Sequence, residues 1–408
     1  MARCPTGLTD VAFYCRQAML KLPLKSIVEE YKVGKARLLS MLEESEDNIV
    51  RSVQPKLRTG KKWKVQEAVN NAKRNLSIKE IIGHTQTNRQ GLGATKMQWW
   101  SKAKRKEKRD MIIQELKKED VKRVQKAVQQ GQQGQWTTWD SALQRSLSWN
   151  DMWHMAPLRI SFLLRSVYDL LPSNANLVKW GKSDDPACPL CQKKQTVEHV
   201  LSSCKVALAQ GRYTWRHNQV LKVITDVVSE KTMTPNAPIA MTTFYKAGGK
   251  QVWPEIAMTT STLPKGLLDG ADDWECTADL PEWRNYPDVI SKTGMRPDIA
   301  LHSDSSKQVI LIELTVPYES RMEEAHIYKT EKYAGLASTL KKAGLRVKIF
   351  AIEVGARGFV GTSAYDLMKQ LAISGKKRTR ALKAMAEAAE RSSSWIWSRR
   401  NQNELHKA

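Results

Sequence analysis

Four residues in one short segment restrict this chain most. They are Cys188-x2-Cys191-x7-His199-x4-Cys204, in CPLCQKKQTVEHVLSSC. Two thiolates two residues apart can grip one ion from a tight turn. His199 and Cys204, five positions apart, can reach back to it from a short helix. Three sulfurs and one imidazole match tetrahedral Zn²⁺ with no open position, the form of a structural site. The competing reading is two buried thiols, a lone cysteine and an ordinary helix histidine. The only other cysteines are Cys4, Cys15 and Cys276. So few in so long a chain do not make a disulfide scaffold, and the cluster favours a metal site in a reducing compartment.

Charge points to the partner. The formal net charge is +24 over 408 residues. Such an excess favours a polyanion, most simply nucleic acid, DNA first with RNA as a second candidate. Residues 51–128 hold twenty-two Lys and Arg against seven Asp and Glu, most of that surplus. The densest run is Lys102, Lys104, Arg105, Lys106, Lys108 and Arg109, just after Trp99-Trp100. Basic side chains neutralise phosphates, and aromatics beside them can stack on unpaired bases. The bland alternative is a solvated helix face over two core tryptophans. No apolar run is long enough to span a bilayer, and the N-terminus lacks the continuous apolar stretch of a signal peptide.

Apolar spacing predicts helices through residues 8–50 and from Val65, where Val65, Val69, Ala72 and Leu76 share a stripe. A further helix is expected from Asp110 to Val128. The Gln/Gly-rich segment 129–136 then reads as a linker and the clearest domain boundary. Leu158, Phe162, Leu163, Val167, Leu170 and Leu171 predict another helix, stopped by Pro172.

The segment FLLRSVYDLLPSNANLVKWGKSDDPACPLCQKKQTVEHVLSSC resembles the zinc-knuckle region that follows the polymerase domain in non-LTR retrotransposon proteins. GRYTWRHNQVL, residues 211–221, resembles the helix that enters the nuclease domain in the R2-type group, which carries a restriction-like endonuclease. In that helix Leu221, Ile224 and Val228 supply a core face. Arg216 and His217 could touch nucleic acid or merely pack, and packing is the reading the sequence favours. Arg296, two residues before Asp298, is a further candidate contact.

Arg296-Pro297-Asp298 opens a short apolar run, Ile299 to Leu301. A polar turn follows, and Val309 to Ile312 leads into Glu313. Carboxylates on the two strands of a hairpin, with a lysine near, can hold a divalent metal and position a water. Carboxylate oxygens suit Mg²⁺. Restriction-type nucleases of the PD-(D/E)xK pattern carry a lysine two residues after the second acid, where this chain has Thr315. The resemblance to the R2-type pattern implies that the lysine has moved to the following helix. It implies Lys329 as the catalytic lysine, with Lys332 second. It also makes Asp273-Trp274 part of the nuclease rather than a polymerase aspartate pair. Glu319 could be a third acid or a helix cap, capping being favoured. Strands are expected at Ile239–Tyr245, within Asp272–Leu280 and at Arg346–Val354. A basic run, Lys376 to Arg380, precedes an Ala-rich helix.

The expected architecture is α+β. It comprises a basic thumb- or linker-like helical region (1–128), a linker and helix (129–185), a CCHC zinc knuckle (186–206), an α/β restriction-endonuclease-like domain (207–375) and a C-terminal basic helix (376–408). What the resemblance implies is a Mg²⁺-dependent DNA endonuclease that nicks a target strand in the nucleus. Asp298 and Glu313 would be the metal ligands, and the chain would have no polymerase activity of its own. The alternatives are a non-catalytic DNA- or RNA-binding protein on the same scaffold, and a junction resolvase of the same fold.

Overall fold

The computed structural model describes residues 8, 10–52, 57–86, 99–117, 119–233, 266–287, 290 and 295–403. The strand expected at Ile239–Tyr245 lies outside them. The described residues divide into two compact units, one of 8–134 with 146–150, the other of 135–145 with 151–403. The knuckle and the segment from 376, expected as separate pieces, belong to the second unit with the sheet. No helix among the described residues is long and apolar enough to cross a membrane.

The N-terminal unit is mostly helical. Helix α1 (Ile27–Glu43) starts at Ser26, whose Oγ accepts from the Glu29 backbone. That bond satisfies one of the free amides at the helix start. Helix α2 (Val65–Gln86) buries Val65, Val69 and Ala72 against Ala36 and Leu39 of α1 and Ile112 of α3 (Arg105–Leu116). The helix expected over Asp110–Val128 is broken: α3 stops at Leu116 and α4 covers Glu119–Gln129.

The C-terminal unit is built on a four-stranded mixed sheet. Its strands are β1 (Glu275–Ala278), β2 (Ile299–Ser303), β3 (Gln308–Thr315) and β4 (Arg346–Glu353), in that order. The first three run antiparallel, while β3 and β4 are parallel. Parallel neighbours need a crossover, which α8 (Met322–Lys342) supplies. Strand β3 is apolar on both faces because both are covered. Val309 and Leu311 meet Tyr333, Leu336 and Leu340 of α8. Ile310, Ile312 and Leu314 face the main core of α7 (Arg212–Met233), α9 (Thr362–Gln370) and α10 (Gly375–Ser398). Glu323 and Glu324 begin α8, and Lys341 and Lys342 end it, each charge matching the helix dipole.

Helix α5 (Pro157–Val167) ends earlier than its apolar pattern predicts. Asp169 adopts φ 51° and the Leu170 amide bonds Arg165 O at 2.6 Å, so the chain turns before Leu171. Leu158 is exposed rather than part of the buried stripe. Helix α6 (Asn174–Lys179) follows, capped by Ser173.

Buried charge clusters fasten this unit. Glu390 of α10 is fully buried and accepts from Arg159 Nε at 3.1 Å and Arg145 Nη2 at 3.3 Å. Arg357 pairs with buried Glu319 and lies between the Tyr318 and Trp139 rings, at 3.9 and 4.1 Å from their centroids. Gly358 sits between these clusters at φ +86°, where a Cβ would lie 2.4 Å from Ala386 O, so only glycine fits. Glu390→Ala is expected to cost about 3 kcal/mol, because it leaves buried Arg145 and half-buried Arg159 without their carboxylate. Chemical denaturation of the purified protein measures this.

Candidate active site and metal centre

The knuckle forms as its spacing requires. The Gln192 amide bonds Cys188 O at 2.8 Å, the Cys188 amide bonds Lys193 O at 2.6 Å, and Gln192 takes φ 60°. This tight turn points Cys188 and Cys191 the same way. A π-helical turn, His199–Ser203, returns His199 and Cys204 to them. The four ligand atoms all lie within 4.8 Å of one another. The Cys204 amide donates to Tyr213 Oη at 3.1 Å, and that hydroxyl donates to Val200 O at 2.9 Å. Burial pushes the Cys204 thiol up to about 11, so its thiolate needs a cation beside it. Burial and nearby Lys193 lower His199, which leaves its ring neutral and able to ligate. Three soft sulfurs and one imidazole at this separation fit Zn²⁺.

A second polar cluster lies at the end of β2 and β3. Asp298 directly precedes β2, and Ile299 pairs with Ile312, so Asp298 comes opposite Glu313. The Asp298 amide donates to Glu313 Oε1 at 3.0 Å, and the Leu314 amide donates to Asp298 Oδ2 at 2.7 Å. From α8, Lys329 Nζ donates to Glu313 Oε2 at 2.9 Å. From α7, His217 Nε2 lies 3.3 Å from Asp298 Oδ2. Two acids, one ammonium and one imidazole thus converge from two strands and two helices.

Glu313 is only 1% exposed. Burial, and then the Asp298 charge, raise its carboxyl above the ordinary range. Burial also works against an ionised Asp298, but the His217 hydrogen bond, with the charges of His217 and Lys329, brings it below its ordinary value. The reverse holds for the cations. Burial disfavours charge on Lys329, yet Glu313 and Asp298 raise it overall. Burial likewise opposes charge on His217, and Asp298 raises it overall.

Of the two candidate lysines, Lys329 alone is seen at the acids. Lys332 is exposed, with its Nζ 5.0 Å from the Tyr333 ring centroid. Three residues turn the helix by about 300° and advance it by about 4.5 Å, and that offset carries Lys332 past Glu313. Glu319 is neither a cap nor a third acid. Its Oε1 accepts from the Arg357 amide at 2.6 Å in the buried pair. Asp273 lies at the far end of β2 from Asp298. It accepts from Ser303 Oγ at 2.6 Å and the Ser305 amide at 2.8 Å, bonds that lock the hairpin turn and lower its carboxyl. Thr315 Oγ1, where the plain pattern has lysine, is a buried hydroxyl with no partner among the described residues.

The basic candidates separate. Lys102, Lys104, Arg105, Lys106 and Arg296 are exposed. Lys108 lies over the Trp100 ring at 5.7 Å, and Arg109 pairs with Glu44 at 2.8 Å. Arg216 must be corrected as a nucleic-acid contact. It is 1% exposed and spends its donors on Leu201 O, Val316 O and Ser393 Oγ, at 2.7, 2.9 and 3.0 Å. A guanidinium sealed this way cannot reach a phosphate.

Three site residues escape sequence reading. His217 reaches Asp298. Tyr333 Oη donates to Arg296 O at 3.1 Å and lies against Glu313. Tyr286 Oη donates to Pro297 O at 2.6 Å, fixing the approach to Asp298. Only Tyr333 had a local signal, standing four residues after Lys329 on one helix face.

A family model described as zinc-binding in reverse transcriptase matches residues 133–210, which contain α5, α6 and all four knuckle ligands. No curated protein matches the chain. The chain therefore carries a reverse transcriptase-associated zinc-binding segment, as fits a retrotransposon-like protein.

Proposed function

We propose that the chain is a Mg²⁺-dependent, restriction-like endonuclease that nicks one strand of DNA, from an R2-type retrotransposon lineage. The observation that carries this reading is the convergence of Asp298, Glu313 and Lys329 at one sheet end. The donors fit the ion: two carboxylates offer hard oxygens, and their mutual repulsion favours a cation between them. Asp298 and Glu313 would hold Mg²⁺, which when bound would supply Lewis acidity and lower the pKa of a coordinated water. The ammonium of Lys329 offsets the negative charge that grows on the phosphate oxygens during attack. His217 and the Leu314 amide fix the Asp298 carboxylate, so it need not reorganise when substrate arrives.

Plasmid nicking in Mg²⁺ tests the reading, with Asp298→Ala as the comparison. Wild-type protein is expected to convert supercoiled DNA to open circles and the variant not to. Equal activity in the two, or none in the wild type across several salts, rejects it. Cleavage confined to four-way junctions would instead identify a resolvase.

The second reading, a DNA- or RNA-binding protein without catalysis, is favoured by the exposed basic run alone. Replacing Lys102, Lys104, Arg105 and Lys106 by Gln is expected to weaken binding similarly on all sequences. It should also flatten the plot of log affinity against log salt by about one unit per lost phosphate contact. Filter binding over a salt series checks this. Nicking of chromosomal DNA would place the protein in the nucleus, which imaging of a tagged chain tests.

A further inference from the structure

A nuclease of this kind needs a group to take a proton from the attacking water. Lys329 is a poor candidate, because its ammonium is engaged as a donor to Glu313 and has no lone pair to offer. We infer that His326, oriented by Glu353, is the proton acceptor of this site. The inference rests on the nuclease reading and adds a residue to it.

The geometry comes from helix α8 and the parallel pair β3–β4. His326 stands three residues before Lys329 on α8, so the two share a face. In the strand register Glu313 lies beside Ala351 and Thr315 beside Glu353. Glu313 and Glu353 therefore project from the same sheet face, two residues apart along neighbouring strands. Two acid–base pairs result, side by side: Lys329 Nζ on Glu313 Oε2 at 2.9 Å, and His326 Nδ1 on Glu353 Oε1 at 3.0 Å.

The second pair is built to hold a ring. Glu353 is buried, and its Oε2 accepts from Ser363 Oγ at 2.6 Å, so the carboxylate is fixed. A carboxylate can only accept, so Nδ1 carries a hydrogen, and in the neutral ring the lone pair lies on Nε2. The His326 side chain is 46% exposed, and Nε2 has no partner among the described residues. A buried carboxylate that fixes the imidazole tautomer beneath an open Nε2 is the arrangement of a general base. In the step, Nε2 takes a proton from water and the water oxygen bonds to phosphorus. The phosphorus bond to the leaving deoxyribose oxygen breaks, and that oxygen takes a proton from solvent.

The test uses the full-length protein on supercoiled plasmid in Mg²⁺, comparing wild type, His326→Ala and His326→Gln. For His326→Ala, kcat is expected to fall by about 10²-fold, with KM nearly unchanged. Added imidazole is expected to restore part of the loss in His326→Ala. His326→Gln, which has no proton-accepting nitrogen, stays slow. Melting temperatures are expected to match among the three proteins. If wild type nicks and His326→Ala nicks equally fast, the inference is overturned and the nuclease reading stands. A slow His326→Ala that imidazole does not rescue, with a lowered melting temperature, also overturns it, because His326 is then a strut between α8 and β4. A wild type that nicks nothing overturns both.

Discussion

Asp298→Asn, Glu313→Gln and Lys329→Met are each expected to lower the nicking rate by at least ~10²-fold, while Lys332→Met stays within about twofold of wild type. The contrast follows from placement. Lys329 touches Glu313 at 2.9 Å and is mostly shielded, whereas Lys332 is exposed on the next turn. The proteins are expected to remain folded. Glu313→Gln in particular should not lose stability, because burial and the Asp298 charge already disfavour the ionised carboxylate at that position. Single-turnover nicking assays with matched melting curves measure both effects. Equal losses in Lys329→Met and Lys332→Met would show that helix position does not govern the site.

Removal of zinc is expected to have the largest effect on stability. Chelation, or Cys188→Ser, should lower the melting temperature of the C-terminal unit by roughly 10 °C or more. Structural zinc binds zinc-finger peptides with about 10–16 kcal/mol, and losing even a third of that shifts a domain of this size so far. The knuckle is part of the core. Val197, Val200 and Leu201 pack with Phe162, Tyr318 and Trp397, and Arg212 ties its base to Arg399 O at 2.7 Å. Three thiols left without a cation would crowd within 4.8 Å of one another and of His199. Metal analysis should find one zinc per chain. A zinc-free protein whose melting temperature is unaffected by Cys188→Ser would remove the site.

The two sites were legible to different depths. All four knuckle ligands lie within seventeen residues, so local spacing defines them, and the structure brings the same four together. The acids are separated by a short hairpin, whose pairing of Ile299 with Ile312 sets Asp298 opposite Glu313. The lysine was less legible, because Lys329 and Lys332 differ by one turn of a helix whose rotation is set by Tyr333, Leu336 and Leu340 packing on β3 and β4. Arg216 shows the opposite limit. Its sequence leaves open a nucleic-acid contact or packing, with packing favoured, and three carbonyl and hydroxyl acceptors from distant segments make it a core residue.

The sequence by itself determined the zinc ligands, the hairpin that carries Asp298 and Glu313, and the basic character of the chain. These depend on spacings of at most seventeen residues along the chain or on composition alone. Tertiary structure decided which lysine meets the acids, that His217 and Tyr333 join them, and that His326 rests on Glu353. Each of those contacts joins segments at least sixteen residues apart. Their distances follow from how α7 and α8 pack on the sheet, and that packing is a property of the whole core.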